Sequence, residues 1–143
     1  MPAHTLDPTL TQIAHEIRLS SQSLARHVRD HTPSLAPHLF TVLAWLEEGP
    51  ATAGELANRE RVSAPSMSRT IGELEERGLV ARQPDPTDAR AKIVTLTAAG
   101  KRTLHKGRTE RDAYVAQLLR DCTPAELETL LAGAQVLRKV IDA

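Results

Sequence analysis

At 143 residues, the chain is long enough for one ordinary domain and too short for two well-stabilised ones. Aromatic residues make up only 2% of it, so a core must be built from Leu, Val, Ile and Ala, a set that suits helix packing. Lys plus Arg and Asp plus Glu both number 18, which excludes a strongly basic or acidic molecule, so any nucleic-acid surface has to arise by segregating charge within the fold.

The first predicted element is a long helix. Leu6, Leu10, Ile13, Ile17, Leu24 and Val28 recur at helical spacing, with Ser20 and Ser21 interrupting the stripe where a bend or a polar gap is expected. Pro33 and Pro37 break the chain. A second helix from about His38 to Glu48 carries Leu39, Val42, Leu43 and Leu46 and stops at Gly49-Pro50.

Thr52-Ala53-Gly54-Glu55 then reads as a capping box: the Thr hydroxyl accepts the third helical N–H while Glu55 reaches back to the Thr52 N–H. Leu56, Ala57 and Val62 give the short helix behind it an apolar face. A new start follows at Ser63, with Pro65 in the first turn, where a missing N–H costs nothing. Met67, Ile71 and Leu74 fall on one stripe of that helix, which ends at Gly78. Two helices joined by so short a turn form a helix-turn-helix, whose second helix suits a DNA major groove.

Leu79–Gln83 and Ile93–Leu96 are short β-prone runs, and the polar residues 84–92 between them carry turn chemistry, so a hairpin with a basic-tipped loop is expected. Thr97 caps a helix running from about Ala98 to Arg120. Thr123-Pro124-Ala125-Glu126 is a second capping box, opening a final helix with Leu127, Leu130, Leu131, Ala134, Leu137 and Ile141 on one face.

Taken together, Glu55-Leu56-Ala57, Ser63–Arg69, Leu74–Val80, Asp88-Ala89-Arg90 and Leu96-Thr97-Ala98-Ala99-Gly100 resemble the MarR family of bacterial transcription regulators. The Asp-x-Arg followed by Leu-Thr-x-x-Gly is the more specific part. The resemblance implies a mainly α (α+β) fold: a single domain over 1–143, with a winged helix-turn-helix lobe at 35–97 and dimerisation helices at 1–32 and 98–143. It also implies a homodimer acting on double-stranded DNA, often under a small-molecule or oxidant signal. The amphipathic terminal helices support the dimer independently, since no second domain is present for them to pack on; the alternative is that they pack on the lobe of their own chain.

With Ile71 at the centre of the core face, Ser66, Arg69 and Glu73 point the other way and Ser68 lies at the border. Arg69 is the candidate for base contact, because its planar fork can bind guanine O6 and N7 together. Ser63, Ser66 and Ser68 are short donors near a helix N-terminus, suited to phosphate or a close base edge. In the wing, Arg90 is the candidate for minor-groove or backbone contact and Lys92 for phosphate, while Asp88 holds Arg90 or the loop in shape. A basic surface of Arg59, Arg61, Arg69, Arg82, Arg90 and Lys92 is expected, with Glu75 and Glu76 turned elsewhere.

Other chemistries are weaker. His27 and His31 stand at i, i+4, a spacing that can hold one ion, but no cluster accompanies them, so neither a metal nor a cofactor is expected. His15, His38 and His105 could line an effector cavity. Cys122, next to the Thr123 cap, could sense oxidants, yet an inert role is favoured. No phosphate loop, nucleophile elbow or clustered His–carboxylate motif argues for an enzyme. The lone cysteine excludes an intrachain disulfide, and neither a membrane span nor a signal peptide is evident, which fits the cytoplasm. The competing reading is a winged-helix protein-interaction module that reads no DNA sequence.

Overall fold

The computed structural model describes residues 7–33 and 35–143, so Leu6 of the first stripe lies outside the described residues. Its elements are α1 (Pro8–His31), α2 (Pro37–Glu47), β1 (Ala51–Thr52), α3 (Ala53–Glu60), α4 (Ala64–Glu76), β2 (Val80–Pro84), β3 (Lys92–Leu96), α5 (Ala98–Leu118) and α6 (Pro124–Ile141). The mainly helical winged helix-turn-helix fold expected from the sequence is present.

The chain forms two compact units. One comprises residues up to Thr32 together with Arg111–Ala143; the other is Pro33–Glu110. In the second unit, Leu39, Val42, Leu43 and Leu46 of α2 join Leu56 and Ala57 of α3 and Met67, Ile71 and Leu74 of α4 in one core. Ala51, Leu79, Val80, Val94 and Leu104 close it from the sheet and α5. Val62, expected on the apolar face of α3, is 41% exposed instead. It falls in the turn after the helix, where the backbone no longer carries side chains to the core face.

The sheet has three strands in the order β1-β3-β2, whereas the sequence indicated only the hairpin. Ala51 pairs Val94 and Thr52 pairs Ile93, antiparallel, so a two-residue strand covers the outer edge of β3. On its other edge, β3 pairs β2 from Val80↔Leu96 to Pro84↔Lys92. Pro84 is tolerated because β2 is an edge strand. Lys92 therefore belongs to the ladder, and the wing tip is residues 85–91.

Two glycines set the junctions around this sheet. Gly78 has φ +72° and follows α4, with its N–H bonded to Glu75 O (2.9 Å) and that of Leu79 to Leu74 O (3.0 Å), a Schellman stop that turns the chain into β2. Gly100 sits where α5 meets that turn. A Cβ there would stand 2.1 Å from the Leu79 carbonyl oxygen and 3.0 Å from Leu96 Cδ2. Thr97 completes the joint: its Oγ1 donates to Gly78 O (2.7 Å) and accepts from Gly100 N–H (3.0 Å). The Leu-Thr-x-x-Gly run is thus the seam between wing and α5. Gly100→Ala is expected to destabilise the lobe by about 1–3 kcal/mol, toward the upper end, because the obstructing atom is backbone and cannot swing aside. Urea denaturation should show a lower midpoint at unchanged slope; an unchanged midpoint would refute the steric account.

The other unit is built of helices. Asp7 caps α1, which runs unbroken through Ser20 and Ser21 to its last turn, where Thr32 N–H and Oγ1 both bond Val28 O. His27, His31 and Tyr114 form a stack of rings with centroids 5.7 and 5.2 Å apart. The Thr123–Glu126 capping box opens α6, as its sequence indicated. Neither α1 nor α6 buries a single residue.

Candidate nucleic-acid interface

The helix-turn-helix is made by three local devices. Thr52 Oγ1 accepts from Glu55 N–H (3.2 Å) while Glu55 returns a bond to the Thr52 N–H, starting α3. Arg61 ends α3 in the left-handed region (φ 53°), so the chain reverses within three residues. Ser63 Oγ then accepts from Ser66 N–H (3.2 Å), starting α4.

On α4 the core stripe Met67, Ile71 and Leu74 is buried and leaves the opposite face to solvent. Ser63, Ser68 and Arg69 are exposed, and Ser66 is half-buried. Ser66, Arg69 and Glu73 line one cleft of about 360 Å³ together with His38 and Glu60. Glu73, the acid on this face, is drawn off by Arg77 (3.0 Å) and lies 3.6 Å from His38 Nε2. Arg69 has no ion pair among the described residues, so its guanidinium remains available at the surface. With Ser63 already spent as an acceptor on the cap, what it can offer a phosphate is its hydroxyl proton.

The expected basic surface needs correction at two members. Arg82 donates from Nε to Glu75 Oε1 at 2.6 Å, so Glu75 does not turn elsewhere but neutralises that arginine. Their seven-residue separation hides the pair from a helix-face reading, since the Schellman stop folds β2 back alongside α4. Arg59 lies 5.3 Å over the Trp45 ring, whose indole N–H donates to Glu60, so this guanidinium is held against α2. Arg61, Arg69, Arg90 and Lys92 are the exposed cations of the set with no such engagement among the described residues.

In the wing, Asp88 Oδ1 accepts from Arg90 N–H (3.0 Å) and its carbonyl from Ala91 N–H (3.1 Å). Asp88 shapes the backbone and forms no ion pair with the Arg90 side chain. A second aspartate was not singled out by sequence. Asp85 Oδ1 accepts from both Thr87 N–H (2.9 Å) and Thr87 Oγ1–H (2.8 Å), and its own N–H bonds Ala91 O (3.0 Å). The signal was available in Asp85-Pro86-Thr87, a local turn motif. The Thr87 N–H first, and then its hydroxyl, hold the Asp85 carboxyl below its usual pKa against a small opposing effect of burial. Since the folded value is depressed, this bracing is present above the ordinary aspartate range and is lost only as pH falls through the lowered value.

His38 faces the α4 cleft, while His15 contacts Arg18. Cys122 is half-buried in the turn before α6. Among the described residues, no group of three or more His, Cys, Asp or Glu side chains could hold a metal ion, and no helix is long and apolar enough to cross a membrane.

With this geometry in place, known proteins resemble it at every level. A model of the MarR family matches residues 35–91. HTH-type transcriptional regulators of Mycobacterium tuberculosis and Mycobacterium leprae are 32% identical over 136 residues, spanning 92% of this chain and 94% of each of theirs. Among solved structures, a transcriptional regulator protein from Pseudomonas aeruginosa superposes with a TM-score of 0.83 at 25% identity, covering 96% of this chain and 99% of that one. A MarR family protein from Bacillus stearothermophilus shares the fold with a TM-score of 0.76 at 24% identity, over 94% of this chain and 96% of that one.

Proposed function

The chain belongs to the MarR family of DNA-binding transcriptional regulators, and from that premise we propose that it is a cytoplasmic homodimeric repressor reading an inverted-repeat operator. Each α4 enters a major groove and each wing reaches the adjacent minor groove or its phosphates. The observation that carries this reading is the division of cations within the lobe. Arg59 and Arg82 are held by Trp45 and Glu75, whereas Arg69 on α4 and Arg90 and Lys92 on the wing are exposed without an ion-pair partner among the described residues. Ser63, Ser66 and Ser68 supply hydroxyls beside Arg69, and Asp88 holds the backbone from which Arg90 projects.

The dimer is assembled through α1 and the C-terminal helices; among the described residues, α1 and α6 bury no residue and leave Leu10, Ile13, Leu130, Leu131 and Ile141 about half or more exposed. A small-molecule effector that favours a different spacing of the two lobes would release the operator. A coupling of about 1–3 kcal/mol changes occupancy roughly 5- to 150-fold, enough for a switch.

Selection from a randomised operator library tests the residue roles. Arg69→Ala is expected to cost about 1–3 kcal/mol at the preferred site and to blur discrimination at one base position per half-site. Arg90→Ala should weaken binding to many sequences more evenly. An Arg69→Ala protein that keeps the original sequence preference would remove Arg69 from its assigned role.

A further inference from the structure

The wing tip holds its shape with almost no packing. Residues 86–90 are all exposed, Asp85 and Ala91 are half-buried, and none of the seven contributes to the core. Its order therefore rests on hydrogen bonds. Those that Asp88 accepts lie in the second half of the tip, from Arg90 and Ala91. The Asp85 carboxylate fixes Thr87 in the first half by two bonds, while the Asp85 backbone N–H, which any residue but proline would supply, ties the start of the tip to Ala91, the neighbour of Arg90.

From this arrangement we propose that Asp85 is a positioning residue that, by ordering the turn that leads to Asp88, sets Arg90 for contact with DNA. The proposal rests on the reading of Arg90 as a DNA contact. An aspartate is an awkward choice at the tip of a wing that approaches phosphates, because its charge is repelled by them and offsets that of Arg90 or Lys92. Its presence is explained by the acceptor it supplies. Without that oxygen, Thr87 is released, and the turn over residues 85–88, which carries the Asp88 bond to Arg90 N–H, gains conformational freedom that must be lost at the moment of binding. That ordering entropy is then taken from affinity.

Four full-length variants, titrated with operator duplex, test the idea: Asp85→Ala, Asp85→Asn, Arg90→Ala and the Asp85→Ala/Arg90→Ala pair. Asp85→Ala should weaken binding roughly 3- to 10-fold, the scale of one or two lost hydrogen bonds. Its melting temperature should change little, since the tip buries no core residue. Asp85→Asn keeps an oxygen acceptor and drops the charge, so it should bind at least as tightly as the parent. In the Arg90→Ala background, Asp85→Ala should add no further loss, because the group being positioned is gone.

Tighter binding by Asp85→Ala would show that its charge matters and its geometry does not, and would overturn the proposal. So would a loss of the same size in the Arg90→Ala background, or an Asp85→Asn protein as weak as Asp85→Ala. If Arg90→Ala is weakened while Asp85→Ala binds normally, only the role of Asp85 falls. If Arg90→Ala itself binds normally, the assignment of Arg90 falls and that of Asp85 with it.

Discussion

Ending the chain after Asp121 is expected to abolish dimerisation and to weaken operator binding about 100- to 10,000-fold, the scale of avidity lost when a second linked half-site can no longer be engaged. The cut removes α6, on which Leu130, Leu131, Val136 and Ile141 are 49, 62, 62 and 71% exposed. On α1, Leu10 and Ile13 are 59 and 50% exposed. Large apolar side chains left this exposed are what the proposed dimer seam would cover. The lobe should outlast the cut, because among the described residues its buried core lies between Leu39 and Leu104, well before the cut.

Sedimentation and operator titration of the truncated chain read both effects, and circular dichroism reads the surviving helices. Aggregation of the cut chain would leave assembly unread, so a full-length Leu131→Glu protein accompanies it. In a lone chain that side chain already faces water, and a carboxylate there costs little; in a dimer seam it would be buried without a partner. The expected product is a folded monomer with weakened binding. A Leu131→Glu protein that still sediments as a dimer with parental affinity would take α6 out of the interface.

The parts of this fold legible in the sequence are those set by local rules. The caps at Thr52, Ser63 and Thr123 act within four residues, and each forms the bonds its spacing implies. The α4 stripe Met67, Ile71 and Leu74 is buried because helical period alone decides it. What the sequence concealed is set across the chain. Strand β1 is two residues long and has no periodicity; it exists because the edge of β3 needed a partner. The Leu-Thr-x-x-Gly run could be recognised as a motif, but its cause, the Leu79 carbonyl against Gly100, is tertiary.

The same division holds at the candidate interface. The face on which Arg69 stands followed from helical geometry. That Arg59 and Arg82 are committed to Trp45 and Glu75 did not, since each pairing depends on how a turn or a neighbouring helix returns the chain. Counting basic residues therefore overstates the charge offered to DNA. Knowing which of them are already engaged gives the more useful quantity.

That quantity leads to the second large effect. Between 50 and 200 mM salt, affinity for the operator is expected to fall about 10³- to 10⁵-fold, as for a protein making roughly six to ten phosphate contacts, with a log–log slope near −0.9 per contact. In each lobe Arg61, Arg90 and Lys92 are exposed and without an ion-pair partner among the described residues, so two lobes reach the lower end of that range. The preferred site should be an inverted repeat with half-site centres about 10 base pairs apart, because both α4 helices must meet one face of the duplex. Non-specific binding should be weaker than in a basic regulator, since the chain as a whole carries 18 cationic and 18 anionic side chains. A selected repeat should therefore stand out from a scrambled duplex even at low salt. Titrating both duplexes across a salt series measures slope and discrimination together. Equal affinity for the two duplexes, or indifference to salt, would exclude sequence reading by this lobe and turn attention to the winged helix as a surface for protein.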